Sequence, residues 1–464
     1  MKYISTRGGD TATFNEAVMK GIASDGGLFV PETLPDLSGK LEDWRGLGYS
    51  TLAHAFLAHF ATDIPDCELR DCVERAYDGF PSPVAPLTEL GREDGEDSGG
   101  APLYLLELFH GPTLAFKDFP LQLLGQLYAR NLHATARPLN ILCATSGDTG
   151  SAAIHGVPAD KGIHSFILYP EGRVSALQER QIACTGSPHV HALAVRGSFD
   201  DAQAIVKTIL ADTPFATAHA LTPVNSINIA RILAQCVYYL DAALRLNASE
   251  ANPLEFIVPT GNFGNVLAGW MLGRMGVPGL RFCAATNVNA VVADFFQKGV
   301  YRPGPVTPSL APSMDIQQAS NFERWLWWHF DGDGARLRAA LETLGRDGAL
   351  TLAPGDGTAG AGLRATTCDD AALRLQIQGA YERAGCLIDP HTACAFAAVR
   401  PDMRTVVLAT AHPAKFPEII AEITGEKPTH AALDELRLRR IAKKVLPADA
   451  DAVRAAITAA LQQA

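Results

Sequence analysis

One lysine has neighbours that could make it a nucleophile. Lys117 lies between Phe116 and Phe119, and Asp118 could N-cap a helix that continues through Leu121. A lysine beside the positive end of a helix and among aromatic rings loses its proton more easily than a lysine in water. A neutral amine is what a Schiff base to an aldehyde cofactor requires. The same stretch also fits an ordinary surface lysine whose ammonium stays in water.

Two glycine turns could bind anions. The segment 144–151, ATSGDTGS, and the segment 259–266, PTGNFGNV, each stand between an apolar strand pattern and a helix pattern. Backbone N–H groups converge in such turns, and the helix dipole favours an anion there. The first turn suits a carboxylate, because Asp148 would repel a highly charged phosphate, and the second suits a monophosphate. Each also fits an ordinary capped turn.

Two further segments place polar groups at the ends of elements. Ser226 and Arg231 are expected on the same side of a helix opening, roughly one and a half turns apart, where they could bind a second anion. A capped helix with a surface arginine is the alternative. Farther along, the strand pattern at 405–409 is followed directly by Thr410, His412 and Lys415. We expect His412 to be a structural hydrogen bonder rather than a base.

The elements that must position these residues follow an alternating pattern. After residue 135, short apolar runs alternate with longer helical patterns, one of which begins with Ser198 as N-cap and Asp201 in its first turn. The predicted strands are 141–144, 165–169, 190–195, 255–259, 281–285 and 405–409. Such alternation indicates parallel βαβ units in an α/β fold with an open sheet. Ligands bind such sheets where strand C-termini meet helix N-termini, which is where the polar turns lie.

The first hundred or so residues lack the alternation of strand and helix patterns found after residue 135. Residues 1–86 carry helical patterns at 54–61 and 67–77 and finish in a proline-rich linker, which indicates a separate N-terminal domain. The acidic, glycine-rich segment 91–100 is expected to be a surface loop without a function.

Composition excludes several classes of protein. The 464 residues include 39 basic and 50 acidic ones, a formal net charge of −11, which disfavours general binding to a nucleic acid backbone. The longest uncharged runs, 213–230 and 256–273, contain proline and asparagine, so neither is expected to span a membrane. No secretory pattern opens the chain, and we expect a cytoplasmic protein. Nine cysteines without a CxxC pair indicate neither a disulfide framework nor a metal site.

Four of these segments together resemble the threonine synthase family, whose members depend on pyridoxal phosphate. The segments are 107–118 (ELFHGPTLAFKD), 144–150 (ATSGDTG), 259–265 (PTGNFGN) and 410–416 (TAHPAKF). Shorter stretches are similar to the bacterial and fungal branch of that family, namely 3–9, 25–31, 314–316, 320–324 and 389–393. The resemblance covers nearly the whole chain except the acidic loop and a divergent tail.

The resemblance implies a tryptophan synthase β-like fold, fold type II, with two open-sheet lobes and the cofactor between them. It implies an N-terminal domain at 1–86, a catalytic domain at 87–430 and a C-terminal helical tail at 431–464. Lys117 would bind pyridoxal 5'-phosphate as a Schiff base, with Asp148 near the ring hydroxyl and Thr410 facing the pyridine nitrogen. The residues implied to hold the cofactor's phosphate are Gly261, Asn262, Phe263, Gly264 and Asn265.

The implied substrate is O-phospho-L-homoserine, which would be converted with water to L-threonine and phosphate in the last step of threonine biosynthesis. Lys117 would be the main acid and base, phosphate would leave from Cγ, and water would add at Cβ. The residues expected at the substrate's carboxylate are Thr145, Ser146 and Thr149, and those expected at its phosphate are Asn225, Ser226 and Arg231. We expect a monomer or a homodimer.

Three rival functions stay open at this point. Another pyridoxal-phosphate lyase, such as a serine or threonine dehydratase or a cysteine synthase, would share the fold. A catalytically silent homologue would bind phosphorylated ligands, although Lys117 argues against it. A nicotinamide-binding protein is disfavoured because the GxGxxG signature is missing.

Overall fold

The structure is a computed structural model that describes residues 1–92, 100–135, 138–157, 162–352 and 362–462. The acidic segment predicted to be a surface loop lies outside these residues, except for its two ends.

Sixteen strands form four sheets in these ranges. They are β1 (Tyr3–Ser5), β2 (Thr11–Ala12), β3 (Phe29–Pro31), β4 (Leu87–Arg92), β5 (Pro102–Glu107), β6 (Asn140–Ala144), β7 (Ser165–Pro170), β8 (Val190–Arg196), β9 (Leu221–Pro223), β10 (Leu254–Pro259), β11 (Leu280–Thr286), β12 (Val300–Tyr301), β13 (Leu350–Thr351), β14 (Leu363–Thr367), β15 (Thr405–Ala409) and β16 (Lys444–Pro447).

The described residues also form nineteen α-helices. They are α1 (Phe14–Lys20), α2 (Leu41–Trp44), α3 (Tyr49–Leu57), α4 (Asp66–Tyr77), α5 (Asp118–Thr135), α6 (Asp148–Gly156), α7 (Ala176–Ala183), α8 (Phe199–Ala211), α9 (Thr213–Ala218), α10 (Ile229–Arg245), α11 (Gly264–Arg274), α12 (Val291–Lys298), α13 (Phe322–His329), α14 (Gly334–Asp347), α15 (Asp370–Ala384), α16 (Pro390–Phe396), α17 (Pro417–Thr424), α18 (Ala431–Leu438) and α19 (Ala450–Gln462).

Two sheets form the two lobes of the molecule. One has the order β14-β11-β10-β15-β5-β4 and is parallel except for β4, which pairs antiparallel to β5. The other has the order β16-β8-β7-β6-β9 and is parallel throughout. Parallel neighbours need crossover connections, and helices supply them here. The predicted α/β fold with open sheets is confirmed.

The predicted strands all occur in these two sheets, with each end within one residue of its predicted position. The predicted cap of α8 is also confirmed. Ser198 Oγ accepts the Asp201 N–H at 3.1 Å, while the Asp201 carboxylate accepts the Ser198 N–H at 2.7 Å. This reciprocal capping box satisfies two N–H groups that the first helical turn leaves without partners.

Several elements differ from the sequence-based expectation. The N-terminal region contains the sheet β2-β1-β3 as well as helices, and the helix expected at 54–61 begins earlier, as α3. The helix expected at 67–77 is α4. The tail expected to be helical contains α18 and α19 and also β16, which extends the second sheet beside β8. Strands this short carry too few residues to show an alternating pattern.

The core is continuous from the N-terminal region into both lobes. One apolar cluster contains residues from Tyr3 to Leu408. At its centre lies α10, in which all residues except Asp241 and Arg245 are buried. Because α10 packs on α3, α5 and α11, it fixes the N-terminal region against the elements that carry the polar turns. Among the described helices, none combines the length and the apolar character needed to cross a bilayer.

Candidate active site

A cleft between the two lobes brings together most of the predicted site residues. Those that line it are Lys117, Asp148, Thr149, Ser226, Arg231, Gly261, Asn262, Phe263, Gly264, Asn265 and Thr410. The predicted residues that do not line it are Thr145, Ser146 and Asn225. Each lining group stands at a strand C-terminus or a helix start, as expected of an open α/β sheet.

Backbone bonds place Lys117 beside the end of β15. The Phe116 N–H donates to the Thr410 carbonyl at 2.9 Å, and Ala115 forms an isolated antiparallel bridge with Ala411. Lys117 follows at once and its chain ends in the cleft, with Nζ 5.4 Å from the centre of the Phe116 ring. The alternative of an ordinary surface lysine is therefore wrong.

Asp118 does not cap the helix in the expected way. It is the first residue of α5, and its carboxylate accepts the Thr113 N–H at 2.9 Å and the Thr113 hydroxyl at 2.7 Å. The carboxylate therefore closes the turn before Lys117. A Cβ added at Gly111 would lie 2.5 Å from Asp118 Cβ, so glycine is required for this close approach. Burial raises the pKa of Asp118 to about 6.

Asp148 is buried between two lysines. Its Oδ2 lies 3.3 Å from Lys117 Nζ, and its Oδ1 lies 2.8 Å from Lys415 Nζ. Gln178 Nε2 donates to Oδ1 at 3.2 Å, and the Ser313 hydroxyl donates to Oδ2 at 3.3 Å. Lys415 also donates to the Thr113 carbonyl at 3.0 Å. The carboxylate is thus held in position through both of its oxygens.

The charges in this group shift one another's protonation. Burial alone would raise the pKa of Asp148, but the charges of Lys415 and Lys117 hold that pKa well below its usual range. Burial lowers the pKa of Lys117, and the positive charges of Lys415 and Arg231 lower it further, against the opposing effect of Asp148. The site therefore combines a carboxylate whose ionised form is favoured with a lysine that gives up its proton more readily than a free one.

The second glycine turn opens α11 toward the cleft. Phe263 adopts a left-handed conformation at φ +64° just before the helix. A Cβ at Gly261 would lie 3.1 Å from the Ser313 carbonyl oxygen, and one at Gly264 would lie 3.0 Å from Asn321 Nδ2. The backbone can therefore approach its neighbours closely here, and the start of α11 lines the cleft, where its first N–H groups are suited to an anion.

Two tyrosines determine which way the Asn265 amide points. Tyr239 Oη donates to Asn265 Oδ1 at 2.7 Å, and Tyr238 Oη donates to the same oxygen. Because Oδ1 takes both hydroxyls, Nδ2 is left as a buried donor without a partner in the described part of the chain. An anion at the start of α11 would supply that partner.

Arg231 carries a second unsatisfied group. It lies in the first turn of α10 and is only 3% exposed, yet Nε and Nη1 lack partners among the described residues. Burial lowers the pKa of Arg231 to about 10, so the side chain stays charged at neutral pH. The N-cap of α10 is Asn228, so Ser226 belongs to the loop before the helix and lines the cleft from there. Asn225 Oδ1 is also unsatisfied, although Asn225 does not line the cleft.

The first glycine turn differs from the expected ring of free donors. Thr145 Oγ1 accepts the N–H groups of Gly147 at 3.0 Å and Gly150 at 2.9 Å. Thr145 therefore shapes the turn from inside, and two expected donors are already used. Ser146 is exposed, and Thr149 faces the cleft.

Four residues of the site were missed or left without a role by sequence reasoning. Gln178, Ser313 and Lys415 hold Asp148, and His391 accepts the Ser313 N–H on Nε2 at 3.2 Å while its Nδ1 lies 2.7 Å from Asp389 Oδ1. The available signals were the family-like stretches, since Ser313 adjoins 314–316, His391 lies in 389–393 and Lys415 lies in 410–416. Gln178 lies in none of them. His412 stays outside the cleft and accepts the Ala414 N–H on Nδ1 at 3.0 Å, which is a structural role.

The cleft fits pyridoxal phosphate by its own chemistry. It combines a buried amine for the aldehyde with a glycine turn at a helix start for the phosphate, and Asn265 Nδ2 is an orphaned donor at that turn. Lys117, residues 261–265 and Thr410 are the groups that would hold it.

Comparisons with known proteins agree with this chemistry. Family models described as "Threonine synthase N terminus", "Pyridoxal-phosphate dependent enzyme" and "Threonine synthase, C-terminal" match residues 2–77, 76–410 and 391–457. A threonine synthase of Pseudomonas aeruginosa is 40% identical over 470 residues, covering 99% of this chain and 98% of the relative.

Solved structures are similar over the same length. A threonine synthase from Brucella melitensis with bound PLP superimposes with a TM-score of 0.92 at 37% identity and covers 99% of each chain. The enzyme from yeast gives a TM-score of 0.91 at 34% identity, covering 100% of this chain and 99% of that one. The chain therefore belongs to the threonine synthase family of pyridoxal-phosphate-dependent enzymes.

Proposed function

We propose that this cleft converts O-phospho-L-homoserine and water to L-threonine and phosphate, with Lys117 as the residue that binds the cofactor and then moves the protons. The observation that carries the proposal is the pairing of one buried amine with two separate groups of unsatisfied anion donors, at Asn265 and at Arg231. A phosphorylated cofactor and a phosphorylated substrate need two such groups. A substrate such as serine, with no phosphate, needs only one.

Bound pyridoxal phosphate supplies an aldehyde that joins covalently to amines and a ring that withdraws electrons from the attached carbons. The chain's own residues supply the rest. Lys117 Nζ takes the proton from the substrate's Cα, releases it, and then takes one from Cβ, while phosphate departs from Cγ with the electrons of the C–O bond. One proton is returned to Cγ, which completes the methyl group. The hydroxyl of water adds at Cβ, the proton of that water passes to the released phosphate, and a second proton is returned to Cα. Burial and the charges of Lys415 and Arg231 favour the neutral amine that the first step requires.

Asp148 can stabilise Lys117 in its protonated form, in which the lysine acts as an acid. Its Oδ2 lies 3.3 Å from Lys117 Nζ and can stabilise the ammonium that forms each time the lysine takes a proton. Lys415 neutralises Asp148 from the opposite oxygen, so the carboxylate does not hold Lys117 permanently charged. Together these contacts let one amine act in turn as base and acid.

Placement of the substrate follows from the donors. Ser226 and Arg231 would take its phosphate, and Thr149 would take its carboxylate at the start of α6. Ser146 does not line the cleft and would contribute only through the turn that precedes α6. Thr145 would act indirectly, by holding the turn. Asn225 would complete the phosphate site through its loop. We also propose that the enzyme works on this soluble small molecule in the cytoplasm, as the sequence predicts.

The test is phosphate release from O-phospho-L-homoserine by purified holoenzyme and by Lys117→Ala. We expect the parent protein to release phosphate and form threonine, and the variant to lose both the visible absorption of the cofactor and turnover. Borohydride treatment of the parent should abolish turnover as well, since it fixes the lysine to the cofactor. Turnover that survives in Lys117→Ala would refute the assignment of Lys117.

A second substrate separates the rival lyases. With L-serine in place of phosphohomoserine, a dehydratase would form a keto acid, whereas the proposed enzyme should form none above the rate of Lys117→Ala. Efficient turnover of serine without turnover of phosphohomoserine would overturn the proposed substrate and leave the lysine's role intact.

A further inference from the structure

The family-like stretch at 320–324 contains two buried residues that the mechanism does not use. Asn321 and Arg324 lie at the start of α13, and both have no exposed surface. A buried guanidinium is costly unless its hydrogen bonds and its charge are compensated. No carboxylate in the described ranges lies within ion-pair distance of Arg324, although burial lowers its pKa only to about 9 and it stays charged at neutral pH.

Arg324 bonds to neutral oxygens from separate segments. Nη2 donates to the Ile227 carbonyl at 2.6 Å and to the Phe29 carbonyl at 2.9 Å, and Nε donates to Phe29 at 3.1 Å. Nη1 donates to Asn321 Oδ1 at 2.6 Å. The guanidinium therefore ties the loop at 225–228 to strand β3 of the N-terminal region.

Asn321 extends the connection to the cofactor turn. Because its Oδ1 accepts from Arg324, its Nδ2 is the donor, and it donates to the carbonyls of Ser226 and Asn262, each at 3.2 Å. The Asn321 N–H also donates to the Asn262 carbonyl at 3.1 Å. One side chain thus spans the two turns that are proposed to bind the substrate's phosphate and the cofactor's phosphate.

The charges on either side of the loop at 225–228 also favour the binding of a phosphate. Arg231 follows the loop in α10, and Arg324 contacts the loop at Ile227. Neither has an ion-pair partner among the described residues. A phosphate monoester carries about two negative charges at neutral pH, which matches two unpaired guanidinium groups.

We propose that Arg324 is a positioning residue for the phosphate of the substrate, which rests on the proposed function. Through Ile227 and Asn321 it holds the loop at 225–228 in register with the cofactor turn, and its charge adds to that of Arg231 across the loop. Only Arg231 and Ser226 touch the phosphate. Arg324 acts through the loop and does not contact the reacting atoms.

The experiment compares holoenzymes of the parent, Arg324→Lys and Asn321→Asp. Lysine keeps the charge but loses the fork that reaches Phe29, Ile227 and Asn321 together. Asn321→Asp keeps an oxygen toward Arg324, removes both Nδ2 donors and gives Arg324 the carboxylate it lacks. Arg7→Met is the matched control, because the Arg7–Glu323 ion pair at 2.8 Å also joins the N-terminal region to α13 without touching the loop.

Four quantities are measured: the dissociation constant of inorganic phosphate by calorimetry, KM and kcat for O-phospho-L-homoserine, and the ratio of cofactor to protein. We expect the dissociation constant and KM to rise about tenfold or more in both variants, with a smaller change in kcat. Arg324→Lys loses charged hydrogen bonds to the loop, whereas Asn321→Asp loses the bonds from Nδ2 to Ser226 and Asn262 and neutralises the charge of Arg324. The ratio of cofactor to protein should stay at the parent value. In Arg7→Met both constants should match the parent.

Unchanged phosphate affinity in Arg324→Lys and Asn321→Asp would overturn the proposal. An equal loss in Arg7→Met would also overturn it, since the effect would then come from a loosened N-terminal region. So would failure of both variants to fold or to retain the cofactor, which would make the role purely structural. A parent protein that binds phosphate but does not act on phosphohomoserine would contradict the proposed function instead.

Discussion

At the scale of single residues, the site depends on one carboxylate shared by two amines. Asp148 contacts Lys117 through one oxygen and Lys415 through the other, so the charge of Lys415 affects the pKa of both other groups. Lys117 could be predicted because its aromatic and helical neighbours are local. The role of Lys415 could not, because its partner Asp148 is far away in sequence and no local pattern joins them.

Lys415→Met should shift the pH dependence of the enzyme. The positive charge of Lys415 lowers the pKa of Lys117 and that of Asp148, so its removal raises both. The acidic limb of the kcat/KM profile should move to higher pH by about one unit, with about tenfold lower kcat/KM near neutral pH. The measurement is the full pH profile with phosphohomoserine. Lys298→Met, an exposed lysine paired with Asp294, is the control. An unshifted profile in Lys415→Met would contradict the proposed coupling.

At the scale of elements, the first glycine turn and α7 cooperate to hold Asp148. Gln178 closes the capping box of α7 with Ser175, and the same side chain donates to Asp148. Gly147 adopts φ +141°, and a Cβ there would lie 2.4 Å from the Gln178 amide. The turn was predictable from its glycines and hydroxyls. The use of Thr145 as an internal acceptor was not, because a hydroxyl in a turn fits either a ligand or the turn itself.

Gly147→Ala should therefore lower stability and activity by more than backbone strain alone would cause. The methyl group must displace Gln178, and φ +141° is unfavourable for alanine, so we expect a loss of at least about 2 kcal/mol in stability and reduced kcat. Gly186→Ala is the matched control, since Gly186 also has positive φ, at +72°, but no atom lies within 4 Å of the added Cβ. Thermal unfolding and kcat are measured on both. Equal effects in the two variants would show that Gln178 is not involved.

The same scale explains which strands could be predicted. Runs such as 165–169 and 405–409 are apolar and buried on both faces, which makes a parallel strand recognisable from composition. The strands of the N-terminal sheet are two or three residues long, and β16 carries a lysine and a proline, so neither gives such a run. Their pairing comes from tertiary packing rather than from local sequence.

At the scale of the whole molecule, one shared core joins the N-terminal region to the catalytic lobes, which the sequence pattern predicts to be separate domains. The apolar cluster runs from the N-terminal helices through α10 into both lobes. Asn228 Nδ2 donates to the Val18 carbonyl at 2.8 Å, so the N-terminal region also supports the loop before α10. The division at residues 86 and 430 remains a prediction. The proline-rich stretch at 81–86 gave no indication of this packing.

The stability of the whole chain should respond to pH through Asp118. Its folded pKa of about 6 lies above the usual 3.8, so its contribution is fully present below pH 3.8 and is lost as the pH rises through 6, by about 3 kcal/mol. Asp118→Asn removes this dependence. The melting temperature of the variant relative to the parent should therefore rise between pH 4 and pH 7. Asp402→Asn, at an exposed position, should show no such trend. A constant difference in Asp118→Asn would contradict the raised pKa.

The bond between Phe29 and Arg324 joins residues that are 295 positions apart. During synthesis the N-terminal strands leave the ribosome long before their partner in α13 exists, and the domain cannot close this contact until most of the chain has emerged. A ribosome-bound fragment that ends before Phe322 should therefore hold neither anion turn in place, so a nascent enzyme cannot gain its activity before α13 has been translated.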